Sequence, residues 1–510
     1  METSRTANSL RNIGFGALNR ITSIVFPFIV RTIFIKVLGE EYLGLNSLYS
    51  SILQVLNLAD LGFASAITAS MYKPLAEKDT KKVCALLNFY KKIYRIIGIG
   101  ILSVGLLLTP FIAVLINGKP PAEINIYLYW ILYLVNTVIS YLFYAYDVSL
   151  LNAIQRNDIV EKIGTISRIC TSLIQIYVVA VLNSFILYVL LNVICTFLYN
   201  IMCHWVVRKK YPQYCCQGYI SKENKESMYR NVFALSLQKI GNTVSLSLDS
   251  IVISAFLGLT TVAIYGNYFY VISAIQTFIL LIYSSITASI GNSIATETTE
   301  KNYNDFKKFS VANIWIVGWC AICFVCIFQD FMIVWMGKDL LFAMPVVLML
   351  VFRFYSVEIR KVVLTYKDAA GLWWYDKWRP IVGCVVNFVL NILFVKKWGV
   401  LGIALATIIS YLLIELPWET HAIFKNYFHK SSRGYYKLLI VQTLKVLISG
   451  LVTYIVCSRL PIQGISAIAI KLGVCMILPN CIFILCNLRN EGFKVTFNML
   501  VNIVKRIFHK

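Results

Sequence analysis

The residues most able to do chemistry are charges that lie inside apolar segments. Arg20 and Lys239 each lie about ten residues into a long apolar stretch, which places both about 15 Å deep in a membrane helix at 1.5 Å per residue. A basic residue at that depth costs about 2.5–3.5 kcal/mol on insertion scales, and it normally faces a bundle interior or a water-filled cavity. Two such cations can share one anionic group, and a phosphate is the natural candidate.

Three further basic residues extend this set. Arg168 and Arg353 lie at mid-depth in their own segments, and Arg360 follows Arg353 by seven residues and shares its helix face. We therefore expect substrate phosphate to be bound by basic residues from several helices. These residues are Arg20, Arg168, Lys239, Arg353 and Arg360.

Acidic residues at similar depth leave two other interpretations open. Asp60 and Asp249 can bind a proton or Na⁺ and couple its movement to transport. Buried ion pairs, for example Arg20 with Asp60 or Arg353 with Glu358, would serve structure alone. Because mid-depth basic residues outnumber acidic ones, ion pairs alone would leave positive charge that requires an anion.

The composition is that of a polytopic membrane protein. Of the 510 residues, 59% are hydrophobic and only 14% are charged, and the mean hydropathy is +0.72. Soluble domains average about 25% charged residues. The apolar runs recur along the whole chain, which excludes a soluble enzyme with one anchor. They are long and continuous, which excludes an outer-membrane barrel. We predict an all-α fold.

A span needs about 20 apolar residues. That criterion predicts fourteen transmembrane helices, at residues 10–37, 42–72, 86–116, 122–147, 158–182, 185–207, 230–257, 260–292, 309–336, 341–366, 377–396, 400–424, 437–459 and 464–488. Residues 491–510 resemble a basic amphipathic helix on the inner leaflet.

The net charge of +23 is explained by the enrichment of Lys and Arg in the cytoplasmic connections of membrane proteins. Lys and Arg concentrate in alternate polar breaks, so these breaks and both termini are expected in the cytoplasm. We read no removable signal peptide, no nucleic-acid-binding pattern and no P-loop, so no cofactor is expected.

Cysteines offer one further candidate. Cys320, Cys323 and Cys326 recur every three residues, which is compatible with a metal or redox cluster or with small apolar residues of a helix. The second interpretation is the more common one. We predict no metal site and no structural disulfide.

An internal repeat organises the helices. At an offset of 219 residues, Leu38-Gly39 aligns with Leu257-Gly258, and residues 67–70 align with the identical residues 286–289. Six helices separate the two starts, and an even number preserves direction, so the repeats are parallel. The predicted domains are residues 1–228, a six-helix bundle with a cytoplasmic linker; 229–436, a second six-helix bundle; and 437–510, two extra helices and a basic tail.

The opening residues 11–67, which begin RNIGFGALNRITSIVFPFIVRT, resemble the first two helices of the Wzx-type bacterial polysaccharide flippases, in the MATE-like exporter superfamily. So do SLQKIGNTVSLSLDSIVISAFLGLTTVAIYGNY in the second half and DAAGLWWYDKWRPIVGCVVNFVLNILFVKKWGVLGIALATIIS further on. The resemblance implies a transporter of the bacterial plasma (inner) membrane that moves an undecaprenyl-diphosphate-linked oligosaccharide from the inner to the outer leaflet by alternating access around a cationic cavity. Its expected partners are that lipid, membrane lipid, an H⁺ or Na⁺ counter-ion and polysaccharide-assembly proteins.

Two alternatives remain. A MATE-type multidrug or cation antiporter would favour an acidic cavity, whereas the mid-depth surplus here is basic. A membrane glycan polymerase usually presents its catalytic residues on a long outside loop, and the outside connections predicted here are short.

Overall fold

The computed structural model describes residues 5–57, 63–118, 120, 124–220 and 244–488, and within them the chain is helical with no strand. The helices are α1 (Arg5–Val37), α2 (Glu40–Leu56), α3 (Phe63–Ala76), α4 (Thr80–Leu108), α5 (Ile126–Leu142), α6 (Ala145–Ala153), α7 (Asn157–Leu182), α8 (Phe185–Lys210), α9 (Val244–Leu257), α10 (Leu259–Thr296), α11 (Thr299–Met336), α12 (Met344–Glu358), α13 (Lys361–Ala369), α14 (Arg379–Ser410), α15 (Leu416–Ile423), α16 (Arg433–Ser458) and α17 (Ile465–Asn487).

Among these residues, eight helices are long and apolar enough to cross a membrane, or nine if the bent pair α5 and α6 forms one span. Each of the fourteen predicted segments overlaps a helix within its described residues. Two features account for part of the lower number of long apolar helices. Several predicted segments are broken, as at the 47° bend between α5 and α6. One continuous stretch, Arg379–Phe428, also contains two predicted segments.

Gly399 separates those two segments. Arg379–Phe428 has 50 residues, about 75 Å of helix and far more than one membrane crossing needs. Gly399 has φ 56° and ψ −136°, a left-handed conformation that favours glycine. A Cβ at Gly402 would lie 2.6 Å from the carbonyl oxygen of Phe394, so the chain folds back on itself here. The predicted eleventh and twelfth helices therefore form a hairpin.

The chain divides into two compact units, Met1–Gly266 and Asn267–Lys510. In the first unit, α1 packs along α7, and α4 packs along α5. Its core includes Trp130, which is fully buried and donates a 3.0 Å hydrogen bond from Nε1 to the carbonyl oxygen of Gly105. Ring contacts between Trp130 and Tyr49, with centroids 5.6 Å apart, join α5 to α2.

In the second unit, α11 packs on α16 and α17, and α12 packs on α14. An aromatic cluster, Phe306, Tyr366, Phe424 and Tyr435, is buried at one end of this unit, with the Phe306 ring 5.2–5.7 Å from the other three ring centroids. Gly318 lets α11 approach α16 closely, since a Cβ there would lie 2.6 Å from Val446.

The two units repeat local features at the 219-residue offset. Asp79 accepts a hydrogen bond from the backbone N–H of Lys82 at the start of α4, and Thr298 accepts one from that of Lys301 at the start of α11. Such caps satisfy N–H groups that the first helical turn leaves free.

Pairs of glycines separated by 219 residues also share positive φ values. Gly39 and Gly258 have φ 96° and 86°, and Gly118 and Gly337 have φ 93° and 90°. The shared register therefore extends beyond Lys82 and Lys301, to the ends of the third helix of each repeat.

Candidate functional site

Two of the predicted phosphate ligands, Arg20 and Arg168, lie on α1 and α7, which pack along each other. Arg168 donates a 3.0 Å hydrogen bond from Nη1 to the carbonyl oxygen of Asn19, the residue before Arg20, and also contacts the Asn19 side chain. Asn19 in turn donates from Nδ2 to Glu161. We call Asn19, Arg20, Glu161 and Arg168 the α1–α7 site. It carries two basic groups and one acidic group.

The position of the two arginines along their helices sets the depth of the α1–α7 site in the membrane. Arg20 lies near the middle of α1 and Arg168 near the middle of α7, so both are far from the helix ends. The Arg20 side chain is exposed, and none of the described residues bonds to its guanidinium. Exposed apolar residues on the same two helices include Ile21 on α1 and Leu173 on α7. The site therefore presents a cation from an otherwise lipid-like surface.

Arg353 lies in the second unit and is buried. Its guanidinium carbon is 4.9 Å from the centroid of the Phe269 ring, a cation–π contact between α12 and α10. The Arg360 guanidinium makes a second such contact, 4.5 Å from the centroid of the Tyr411 ring.

Arg360 belongs to a buried network of ion pairs. It donates to Glu415 at 2.6 Å and to Glu419 at 3.0 Å. Arg379 contacts the same two carboxylates, and it donates from Nε to Asp376 at 3.0 Å. We call the whole set the Arg360 network; it consists of Arg360, Lys367, Asp376, Arg379, Glu415 and Glu419.

The Arg360 network balances three basic groups with three acidic ones. All six side chains are at most 5% exposed. Buried charges are tolerated when they are paired and hydrogen-bonded. The network joins the break between α12 and α13 to the start of α14 and to α15, so its geometry indicates that Arg360 fixes these elements.

Glu358 has a different partner from the one considered in the sequence. Its Oε1 accepts a 2.9 Å hydrogen bond from Gln276, and its Oε2 is 3.9 Å from Lys361. The side chain is 1% exposed. Glu358 therefore links α12 to α10 and to the start of α13.

Of the two candidate ion-coupling residues, the structure describes only Asp249. Asp249 is fully buried in α9 and accepts a 3.1 Å hydrogen bond from the hydroxyl of Tyr265. Asp60 and Lys239 lie outside the described residues, as does the predicted amphipathic tail at 491–510. The suggested pairing of Arg20 with Asp60 therefore stays a prediction.

An apolar cavity lies in the second unit between α11, α12 and α16. Its volume is about 500 Å³, and its lining includes Val351, Leu447, Gly450 and Tyr454. A hydrogen bond of 2.8 Å between Tyr355 and Thr443 crosses from α12 to α16 at its wall. Such a space fits a hydrocarbon chain better than a sugar.

Asp368 and Cys216 lie outside the membrane spans and have shifted pKa values. Burial raises the pKa of Asp368, although the positive charge of Lys367 partly opposes this. Burial also raises the pKa of the Cys216 thiol, and the charge of Lys91 partly opposes it. At neutral pH, Cys216 is therefore held further toward its neutral form than an ordinary thiol.

The Arg360 network was missed because its members are far apart in sequence. Glu415 and Glu419 are four residues apart within an apolar stretch, which places both on one helix face. That spacing was the available signal. A pair of buried carboxylates requires cations, but nothing in the local sequence identifies Arg360 and Arg379 as those cations.

The sequence of this chain matches a known protein family. The profile of the family described as "Polysaccharide biosynthesis protein" matches residues 9–287, more than half of the chain. An uncharacterized membrane protein of Methanocaldococcus jannaschii is 22% identical over 302 residues, which are 55% of this chain. The match spans 57% of the length of that protein.

Solved structures with the same fold are membrane transporters. The lipid II flippase MurJ in an inward closed conformation superposes with a TM-score of 0.68 at 14% identity, over 93% of this chain and 99% of that one. A multidrug resistance MATE family transporter of the MOP superfamily, inward-facing, gives 0.57 at 13% identity over 80% and 98%. A variant of the Vibrio cholerae MATE transporter VcmN gives 0.54 at 14% identity over 84% and 100%.

These findings confirm the predicted all-α polytopic fold and the resemblance to the MATE-like exporter superfamily. The family and the structural neighbours are membrane transporters. The chain belongs to the polysaccharide biosynthesis protein family of Wzx-like flippases, and it has the fold of MurJ and the MATE transporters.

Proposed function

We propose that this protein moves a polyprenyl-diphosphate-linked oligosaccharide from the inner to the outer leaflet of a bacterial plasma membrane. Sugar and phosphate cannot readily cross hydrocarbon, because polar groups lose their hydration there. A transporter provides a polar, charged path for the head group while the polyprenyl tail stays in an apolar environment. Alternating access of the site to the two sides completes the transfer.

The observation that carries this proposal is the exposure of Arg20 beside Arg168. Both lie in the middle of long membrane helices, where an exposed cation is costly. Arginine binds phosphate oxygens through its fork of N–H donors. With Glu161 as the acidic group of the α1–α7 site, one positive charge remains for a diphosphate.

The other predicted ligands have different roles in this proposal. Lys239 and Arg353 supply further positive charge to the diphosphate as its path proceeds. Arg360 is bonded to two carboxylates, so we assign it to positioning α12 and α13 rather than to direct contact with phosphate. Asp249 is a candidate for binding H⁺ or Na⁺, and Asp60 remains a second candidate.

The apolar cavity between α11, α12 and α16 is proposed to hold part of the polyprenyl chain. About 0.8 kcal/mol is gained for each CH₂ group removed from water, but the tail comes from lipid, so little free energy is gained there. The cavity instead keeps the tail beside the protein while the head group moves.

The membrane potential favours outward movement of an anion. Each elementary charge contributes about 2.3 kcal/mol per 100 mV. An uncompensated divalent diphosphate leaving a negative interior would gain about twice this amount. Both chain termini are placed in the cytoplasm in this orientation, as the distribution of Lys and Arg predicts.

Depletion of the protein in its own cells tests the proposal. We expect the lipid-linked oligosaccharide to accumulate on the cytoplasmic face, where it is inaccessible to enzymes added outside. Accumulation of unpolymerised units on the outer face would instead identify a polymerase. Unchanged glycan lipids together with increased sensitivity to cationic drugs would favour a MATE-type antiporter.

A further inference from the structure

Thiols from three helices meet in the second unit. The Sγ atoms of Cys326 on α11, Cys457 on α16 and Cys475 on α17 all lie within 4.8 Å of one another, and all three residues are buried. Cys323 lies one turn before Cys326 on α11, and its thiol interacts with the Cys475 thiol. We call these four residues the thiol cluster.

We propose that the thiol cluster is a binding site for a thiophilic d¹⁰ cation, with Zn²⁺ as the expected occupant. Zn²⁺ prefers tetrahedral sites, and four cysteines form one of its common structural ligand sets. A Zn–S distance of about 2.3 Å in a tetrahedron requires sulfur atoms about 3.8 Å apart. Among the thiols of Cys326, Cys457 and Cys475, the observed upper limit of 4.8 Å is about 1 Å larger, a difference that small side-chain rotations close.

The convergence is unlike ordinary burial of single cysteines in helices. A free Cys packs well as a small apolar residue, and most such residues need no thiol neighbour. Here the thiols of α11 come from positions more than a hundred residues before those of α16 and α17, and they meet where the three helices pack together. All four are free thiols, so no disulfide occupies the cluster.

Neighbouring contacts hold the donors in place. Trp319 donates a 2.8 Å hydrogen bond from Nε1 to the carbonyl oxygen of Cys475, which fixes the backbone of α17 against α11. Lys471 and Asp330 form an ion pair of 2.5 Å, one turn from Cys475 and Cys326 respectively. The charge of Lys471 also acts on the Cys475 and Cys457 thiols, so it can offset negative charge on a metal–thiolate centre.

The site would lock the last two helices to the rest of the second unit. Thiolate ligands from α16 and α17 bind the same cation as the ligands from α11. Because metal binding to the folded chain stabilises it by mass action, occupancy should raise the thermal stability of the protein. The proposal is independent of the substrate and of the flippase mechanism.

Metal analysis of the full-length protein tests the proposal. The protein is purified in detergent without chelator, passed through gel filtration and analysed for Zn²⁺. We expect one Zn²⁺ per chain in the wild type and a loss of at least tenfold in Cys475→Ser and Cys326→Ser. The matched control is Cys481→Ser, because Cys481 is exposed on the same helix as Cys475 and should leave the metal content unchanged.

A second measurement needs no variant. Chelator-treated wild-type protein is titrated with Cd²⁺, and a thiolate-to-metal absorption band that saturates at one equivalent is expected. Protein that takes up neither Zn²⁺ nor Cd²⁺ overturns the proposal. So does equal metal content in wild type and a folded Cys475→Ser variant, or a disulfide between cluster cysteines in protein kept under native conditions.

Discussion

Nη1 of Arg360 lies 2.6 Å from Oε2 of Glu415, and this same carboxylate oxygen also accepts from Arg379. One acidic side chain therefore contacts two buried guanidinium groups that lie nineteen residues apart in the sequence. Its loss would leave two charges without adequate compensation in a site that water does not reach.

Glu415→Gln should accordingly destabilise the protein strongly. Removing one partner of a buried ion pair costs about 3–5 kcal/mol. The free energy of unfolding, measured by denaturant titration in one detergent, checks this value. The control is Glu77→Gln, whose pair with Lys73 is exposed and 3.8 Å long, so that no measurable change is expected. Equal stability of the two variants would contradict the structural role of Glu415.

The helical architecture could be read from the sequence because hydropathy and charge act locally. Runs of apolar residues place the helices, and the positions of α7, α8, α16 and α17 agree with the predicted segments within a few residues. The duplicated Leu-Gly pairs also gave the correct register, since Gly39 and Gly258 both have left-handed φ values.

The candidate site was less accessible to sequence analysis because it depends on contacts across long separations. Arg20 and Arg168 are brought together by the packing of α1 on α7, which no local pattern encodes. The break after Glu358 contains neither proline nor glycine, so the helix pattern gave no warning of it. The thiol cluster was likewise hidden, since only Cys323 and Cys326 of its members are close in sequence.

Close packing in the first unit gives a second prediction. A Cβ on Gly44 would lie 2.1 Å from the carbonyl oxygen of Leu259, so α2 and the start of α10 approach as closely as glycine permits. Gly44→Ala should force these helices apart and cost about 1–3 kcal/mol. Thermal unfolding followed by size-exclusion chromatography measures the shift.

Gly100→Ala is the matched control for Gly44→Ala. Gly100 lies in α4 with no atom within 4 Å of an added Cβ, so the substitution meets open space. Alanine favours a helix by up to about 1 kcal/mol over glycine, which predicts equal or greater stability. If Gly44→Ala were also neutral, the close contact with Leu259 would not matter to the fold.

The thiols of the loop after α8 report on both orientation and local pKa. Cys215 and Cys216 lie in the basic break that we expect in the cytoplasm. A membrane-impermeant maleimide should therefore label the peptide that contains them in inside-out vesicles and leave it unlabelled in right-side-out vesicles. Labelling from the outside would reverse the proposed topology.

The rate of maleimide labelling at Cys216 should rise with pH over a higher pH range than the rate for an ordinary exposed thiol. Burial raises its pKa, and only the thiolate reacts, so the thiolate fraction at pH 7 is lower and grows toward and above pH 9. Lys91→Gln should slow the reaction further, because the charge of Lys91 favours the thiolate. A rate that is independent of pH between 7 and 9 would contradict this environment.

Filling the apolar cavity should impair transport of long-chain lipids selectively. Leu447 lines the cavity, and Leu447→Trp would occupy part of its volume of about 500 Å³. We expect slower flipping of an oligosaccharide on a long polyprenyl diphosphate and little change with a short prenyl analogue. Leu444→Trp on the same helix is the control, since Leu444 is similarly exposed, at 52% against 60%, and is not among the lining residues.

The central claim is that mid-membrane cations at the α1–α7 site bind the diphosphate. It is tested most directly by measuring initial flipping rates of an undecaprenyl-diphosphate-linked oligosaccharide in proteoliposomes with equal amounts of each protein. Charge-assisted hydrogen bonds contribute about 1.5–3 kcal/mol, so Arg20→Ala and Arg168→Ala should each reduce the rate by about tenfold to a hundredfold. Lys162→Ala, an exposed basic residue on α7, should flip at the wild-type rate. Wild-type rates in both arginine variants would contradict the claim.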